Sequence, residues 1–203
     1  MVTFTGGVTA LDPEIINLNG SVAVNSGDVA LGDGDTRLNV TSTTALTSPD
    51  GTISVGVASL ADDVTLTLGN GGSNLINVAG AFGTDDDGAT AEAVEVNTTG
   101  DVTVTGAIGT DANTLDALAI AQSGRHDLPV RGGRRDRSRS RIPPATIRFD
   151  ADLTAATLTT AVQGYAVELP GGVSVTDATT FLNTGGVTLG DEAGDVSRSS
   201  PRV

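Results

Sequence analysis

The residues of this chain that are best suited to chemistry are acidic, and they occur in short runs. Asp62-Asp63 and Asp85-Asp86-Asp87 each place carboxylates side by side. Paired carboxylates act as acid and base in enzymes that degrade polysaccharides, and clustered carboxylates hold Ca²⁺. Runs of this kind are more often solubilising turns. If the chain is an enzyme, we expect acids from different repeats, such as Asp62, Asp85, Asp101 and Asp116, to gather on one lateral face.

Other residues capable of chemistry are few. Two glycine-rich segments, 32–38 and 69–75, are similar to the nonapeptides that chelate Ca²⁺, but those need tandem copies and these two segments lie far apart in the chain. The chain has no Cys, which excludes disulfides and thiolate metal sites. Its single His, His126, has no evident partner in the sequence. We therefore assign no catalytic, cofactor-binding or metal-binding residue and expect no cofactor.

The elements around these acids are short strands between glycine turns. Residues 100–109 alternate apolar Val102 and Val104 with Thr103 and Thr105, and glycines bracket the run. Such alternation of β-branched residues is typical of a half-buried strand. Similar units begin at Gly6, Gly20, Gly27, Gly51, Gly171 and Gly185. Residues 115–120 have some helical spacing, but the segment is short and lies in register with its neighbours, which favours a strand. The recurrence of one unit indicates a repeat protein.

Strands this short can bury only one face, and stacked coils give each strand a neighbour on both sides. Apolar residues make up 38% of the chain but aromatic residues only 2%, which suits a thin, aliphatic core. The sequence predicts an all-β fold, a right-handed parallel β-helix (solenoid) of some ten coils at ~20 residues per coil. A β-sandwich is the alternative, because regularly spaced strands suit it too. The side chains expected to point inward are Val22, Val29, Val64, Leu66, Val102, Val104, Val173 and Val187.

A longer spacing is formed by a Leu-Gly or Ile-Gly step that closes several strands. The glycines of these steps are Gly32, Gly69, Gly109 and Gly190. The first two intervals between them are nearly equal, and the third is about twice as long. This spacing predicts that one copy of the repeat is missing near position 150.

The charge of the chain is unevenly distributed. The net charge is −14, there is no Lys, and of the 11 Arg residues eight lie between Arg125 and Arg148 and two in the tail at Arg198 and Arg202. The repetitive part is therefore an acidic surface that repels nucleic acids and anionic membranes. These shifts in composition divide the chain into four parts: solenoid repeats over 1–124, an aberrant Arg-rich insert over 125–148, repeats over 149–196 and an aberrant tail over 197–203.

The Arg-rich insert has three interpretations. A basic arm would bind RNA or DNA phosphates, whereas an inert loop would be disordered and solvated. The third interpretation is a stretch translated out of frame. If its Arg codons are of the CGN type, reading residues 125–135 one nucleotide forward gives codons compatible with Thr, Phe, Gly, Ala and Val. We favour the frame slip, and Arg/Ser/Pro-rich residues 197–203 suggest a second one. In each case, buried guanidinium groups would cost several kcal/mol each, so the segment is expected to loop out of the solenoid.

The glycine, valine and threonine units resemble the repeat regions of large bacterial surface proteins of the filamentous haemagglutinin and autotransporter-passenger type. The resemblance covers the chain outside the Arg-rich insert and the tail, and it rests on structural motifs, so it transfers no binding residue. It implies a structural or adhesive segment of a longer protein, secreted or displayed at the cell surface, with cell-surface glycans or molecules of host or neighbouring cells as partners. No export signal and no membrane-crossing run occurs in the chain. We expect the chain not to be an enzyme; the alternative is a fragment of a polysaccharide lyase or hydrolase.

Overall fold

The computed structural model describes residues 1–80, 82–84, 91–109, 114–122, 145–190 and 198–199. Within these residues the secondary structure is entirely β, as the alternating patterns require. The first sheet contains β1 (Val2–Phe4), β4 (Val22–Val24), β7 (Thr44–Thr47), β10 (Thr65–Leu68), β13 (Ala93–Asn97), β15 (Leu115–Gln122), β17 (Leu153–Thr160), β19 (Val173–Thr180) and β21 (Arg198–Ser199). Segment 115–120 thus lies in a strand, as predicted.

Two further sheets complete the cross-section. The second sheet contains β2 (Val8–Ala10), β5 (Val29–Leu31), β8 (Ile53–Val55), β11 (Ile76–Val78), β14 (Val102–Val104), β16 (Thr146–Phe149), β18 (Ala166–Leu169) and β20 (Val187–Leu189). The third sheet contains β3 (Ile15–Leu18), β6 (Arg37–Val40), β9 (Val57–Leu60) and β12 (Phe82–Thr84). Every pairing between these strands is parallel. The chain is therefore a β-solenoid, which confirms the predicted fold over the β-sandwich; its right-handed sense stays a prediction.

The structural repeat is one coil, and its length varies. Val2 stacks on Val22, whereas Leu66 stacks on Val94, so the second of these coils is clearly longer than the first. The eight strands of the second sheet span about seven turns, fewer than the ten coils expected from ~20 residues per coil. Longer coils and the residues of the Arg-rich insert account for the difference.

The Leu-Gly spacing is not the structural repeat. Gly32 follows β5 of the second sheet, whereas Gly69 follows β10 of the first, so these glycines occupy different corners. What they share is a positive φ, 75° at Gly32 and 93° at Gly69, which glycine adopts without steric cost. The double interval before Gly190 therefore does not count missing copies. Strand β14 pairs directly with β16, and residues 123–144 between them lie outside the described residues. A missing copy of the repeat near position 150 therefore stays a prediction.

One aliphatic cluster fills the solenoid, and most of the predicted inward residues belong to it. Of the predicted side chains, the buried ones are Val22, Val29, Val64, Leu66, Val102 and Val104. Val173 is half-buried against the cluster. Val187 was predicted wrongly, since it is 36% exposed. It lies in β20, the last described strand of the second sheet, so no described strand covers it.

The cross-section changes along the rod. Coils up to residue 84 carry one short strand in each sheet, whereas β15, β17 and β19 are each eight residues long. No described strand of the third sheet follows β12. The register of these long strands shifts between Val96 and Asn97 and between Ala155 and Thr157, as at a β-bulge. Coils in this half are closed by a short turn such as that at 150–152.

The solenoid resumes before the predicted end of the Arg-rich insert at residue 148. Strand β16 begins at Thr146, and Ala145, Ile147 and Phe149 are buried. Residues 145–148 therefore belong to the repeats, because their alternation fills the core. Residues 125–144, their expected looping out and the frame slip lie outside the described residues. In the tail, Arg198–Ser199 form β21 and pair with β19. The other tail residues also lie outside the described residues.

Candidate functional site

The acids expected to gather in an enzyme occupy different places in the fold. Asp62 is exposed in the turn between β9 and β10, Asp101 is exposed just before β14, and Asp116 lies within β15. Asp85 lies outside the described residues. In the described part of the chain, no group of three or more His, Cys, Asp or Glu residues is arranged to hold a metal ion.

Several turn carboxylates instead accept hydrogen bonds from the next coil. Asp28 Oδ1 accepts from the backbone N–H of Thr52 at 2.7 Å, and Asp101 Oδ1 accepts from that of Thr146 at 2.9 Å. Both acids come directly before a strand of the second sheet, and their partners occupy the equivalent position one coil further on. The Gly-Asp-Val unit therefore joins the start of one strand to the start of the next.

The same arrangement occurs where a coil returns to the first sheet. Asp152 Oδ1 accepts from the N–H of Gly172 at 2.9 Å, and each residue precedes a stacked strand. Sequence reasoning gave Asp28 and Asp152 no role and named Asp101 only among the acids that an enzyme would gather. It missed their role because the partner lies 20 to 45 residues away and is defined only once the coils are stacked.

The turn after β5, which is similar to a calcium-binding nonapeptide, is stabilised locally. Asp33 Oδ1 accepts from the backbone N–H groups of Asp35 and Thr36 at 3.0 and 3.1 Å. These hydrogen bonds favour the carboxylate and hold the pKa of Asp33 below its usual value. The Thr36 hydroxyl donates to the Leu11 carbonyl of the preceding coil at 2.6 Å. This turn therefore uses its acid to order its own backbone.

Buried polar residues form a ladder at the corner between the first and second sheets. The Ser48 hydroxyl donates to the Gly27 carbonyl at 2.7 Å, and Asn74 Nδ2 donates to the carbonyls of Ser48 and, at 3.2 Å, Gly51. Thr98 Oγ1 donates in turn to the Asn74 carbonyl at 2.6 Å. The ladder satisfies backbone carbonyls that the sheets leave unpaired at the bend. A polar residue two or three positions before a glycine, as at Ser48 and Thr98, was the available signal.

A second polar group occupies the equivalent corner near the end of the described rod. Thr160 Oγ1 accepts from the N–H of Leu182 at 2.7 Å, and Asn183 Nδ2 donates to the Tyr165 carbonyl at 3.0 Å. The Tyr165 hydroxyl accepts from the Ala161 N–H at 3.0 Å. Burial raises the pKa of this phenol, because the charged form would lose its solvation. Its role is structural, since it closes the corner.

Arg148 joins two coils on the outer face of the second sheet. Its guanidinium contacts Glu168 of the next coil at 3.0 Å and also contacts Asp150. Hydrogen bonds to these two carboxylates raise the pKa of Arg148. Sequence reasoning placed this arginine in the aberrant insert. The structure places it at a strand position with two acidic partners.

A shallow groove of about 250 Å³ lies on the third sheet. Its lining includes Arg37, Asn39, Thr41 and Ser59. Asn39 and Ser59 are stacked partners, and Asn39 Nδ2 donates to Asn17 Oδ1 at 3.2 Å, so polar side chains run along the rod axis here. Arg37 is the only Lys or Arg that precedes the Arg-rich insert. Its side chain forms no ion pair with any described acid.

Comparison of the chain with protein-family models, with curated proteins and with solved structures found no match. Among the described residues there is also no helix of the length and hydropathy that would cross a membrane.

Proposed function

We propose that this chain is a structural or adhesive repeat segment of a large bacterial protein that is secreted or displayed at the cell surface, and that it is not an enzyme. The observation that carries this proposal is the use of turn acids in holding coils together. Asp28, Asp101 and Asp152 each accept a backbone hydrogen bond from the following coil. Carboxylates employed in this way stabilise a rod and are poorly placed to act as acid and base.

The core supports the same proposal. Its buried side chains form one cluster along the described coils, and the largest fully buried ones include Tyr165 and Phe149 among aliphatic residues. A rod built by stacking separates its ends, which is what a stalk requires. The net charge of −14 opposes association with nucleic acids and anionic membranes.

Glycans of a host or neighbouring cell are the partners that this proposal names. The groove on the third sheet offers amide, hydroxyl and guanidinium donors from Asn39, Ser59 and Arg37. Sugar hydroxyls accept and donate such hydrogen bonds. Because the groove is open and smaller than the ~300–1,000 Å³ typical of ligand pockets, it suits weak contacts repeated along a surface.

The proposal is tested by combining an enzymatic assay with an adhesion assay. The purified chain is incubated with a panel of polysaccharides, and new reducing ends and unsaturated products are measured; we expect none. Beads coated with the chain are then washed over glycan-coated surfaces, where we expect retention that Arg37→Gln lowers. Arg148→Gln is the matched control, because that arginine lies outside the groove and is paired with acids.

Turnover in the panel would contradict the proposal if Asp62→Asn or Asp116→Asn abolished it. That result would favour the alternative, a fragment of a polysaccharide-degrading enzyme. Absence of both turnover and retention would restrict the proposal to a purely structural segment.

A further inference from the structure

The loop between β10 and β11 brings three oxygen atoms together at a glycine. A Cβ built on Gly72 would lie 3.0 Å from Asn70 Oδ1, 3.2 Å from Asn74 Oδ1 and 3.3 Å from the Pro49 carbonyl oxygen. Pro49 belongs to the preceding coil, so the stacking of two coils creates the arrangement. Any side chain at position 72 would press against all three oxygens, so this arrangement favours glycine.

The second observation is the side chain of Asn74. The residue is fully buried, and its Oδ1 has no hydrogen-bond partner among the described residues. Rotating the amide would not relieve this, because Nδ2 donates to the carbonyls of Ser48 and Gly51 and an oxygen placed there would face two other oxygens. The orientation of Asn74 is thus fixed, and a buried acceptor that lacks a partner among the described residues is a place where an ion or a water molecule can bind.

The donor set determines which partner fits. Amide and backbone carbonyl oxygens are ligands that Ca²⁺ accepts in its flexible geometry, whereas Mg²⁺ demands a near-ideal octahedron. Asn70 Oδ1 already accepts from the Gly72 N–H at 3.1 Å, but an amide oxygen has two lone pairs. Asn70 and Pro49 are exposed, whereas Asn74 Oδ1 has almost no accessible surface, so an ion would approach from the side of Asn70 and Pro49. The net charge of −14 raises the local concentration of cations.

We propose that this loop binds one Ca²⁺ ion through Asn70 Oδ1, Asn74 Oδ1 and the Pro49 carbonyl, with water completing the coordination. The inference goes beyond the proposed function and does not depend on it. Because the three ligands are uncharged, binding is weak, with a dissociation constant of about 10⁻³ M, the range of weak extracellular sites. A bound ion would link two coils at the corner ladder.

The test is a titration of the purified full chain with Ca²⁺, followed by calorimetry and by backbone amide shifts in NMR. We expect one saturable site, with shifts concentrated at residues 49–50 and 70–74. Asn70→Ala weakens binding about tenfold or more, since one ligand is lost, and Asn70→Asp strengthens it about tenfold, since a carboxylate adds charge. Asp35→Asn is the matched control: it removes a charge from the other glycine-rich turn and leaves binding unchanged.

Three outcomes would overturn the inference. One is the absence of saturable binding, which would mean that water alone partners Asn74 Oδ1. Another is a set of shifts spread over the acidic turns and reduced equally by Asp35→Asn, as a diffuse counterion atmosphere would give. The third is binding that Asn70→Ala leaves intact. Melting curves without Ca²⁺ establish that each variant is folded.

Discussion

At the scale of single residues, Asp101 shows how a turn acid acts on a neighbouring coil. It is exposed, yet its Oδ1 accepts from the Thr146 N–H at 2.9 Å, across the longest step in the second sheet. The backbone N–H of Thr146, the first residue of β16, would otherwise be left to water, much as at a helix N-terminus. The Asp101 carboxylate gives this N–H a charge-assisted hydrogen bond, which stabilises the first residue of β16.

We therefore predict that Asp101→Ala lowers the free energy of unfolding by about 1 kcal/mol, the usual cost of losing a capping hydrogen bond. Urea unfolding measures this change, and amide exchange at Thr146 should become faster. Asp62→Ala is the control, because Asp62 is exposed and no side-chain hydrogen bond to another described residue involves it; its effect should stay within about 0.5 kcal/mol. Equal effects of the two changes would refute the capping role.

At the scale of the element, the corners between strands depend on close backbone approach. A Cβ at Gly100 would overlap the Asn74 carbonyl oxygen of the preceding coil. The Thr98 hydroxyl lies between the two, donating to the Asn74 carbonyl and accepting from the Gly100 N–H at 3.0 Å. The glycine at this corner is thus required by the neighbouring coil, in addition to marking a turn.

The prediction for this element compares two glycines. Gly100→Ala should cost about 1–3 kcal/mol, because the methyl group forces two backbones apart in a packed corner. Gly34→Ala should be neutral or slightly stabilising, since nothing lies within 4 Å of the added Cβ and its φ is not positive. Thermal melting of the two variants beside the parent gives the result, and a loss at Gly34 equal to that at Gly100 would show that close approach is not the cause.

The alternation of Val102 and Val104 was enough to predict a strand and its buried face, because the two-residue period is local. The same pattern at Val187 predicted burial wrongly, since burial also requires a coil on the far side. The pairing of Asp101 with Thr146 could not be predicted, because coil lengths vary and the insert separates the partners in sequence. The Ser48, Asn74 and Thr98 ladder had a weak local signal that gains meaning only when coils are stacked.

At the scale of the whole molecule, the ladders run without interruption past the Arg-rich insert. Val102 pairs with Ile147 and Leu118 with Leu158, although the insert lies between the partners in sequence. In the next coil the connection between the same two sheets takes only residues 161–165. Strands β14, β16 and β18 are thus neighbours whatever the length of chain between β15 and β16.

We predict that replacing residues 123–144 by the short sequence found at 161–164 preserves the fold. Shortening the connection about fivefold should raise the free energy of unfolding by about 1 kcal/mol, because loop closure costs less. Urea unfolding and far-UV circular dichroism measure stability and strand content. Loss of folding would show that the segment contributes to the core.

The frame-slip hypothesis stays a prediction, and the nucleotide sequence of the gene tests it. Read one base forward from about codon 125, the gene should encode a coil rich in Val, Thr and Gly. A stop codon or a peptide without this pattern would reject the hypothesis.

The stacking order also determines how the chain responds to mechanical load. Strands β1 and β21 lie at opposite ends of the first sheet, so tension applied to the two termini pulls along the rod and detaches the end coils first. A short coil, with stacked partners 20 residues apart, releases about 70 Å of chain, whereas the coil that contains the insert, with partners 45 residues apart, releases about 150 Å in one step. A tethered rod of this kind would lengthen in steps under shear and return as its coils restack.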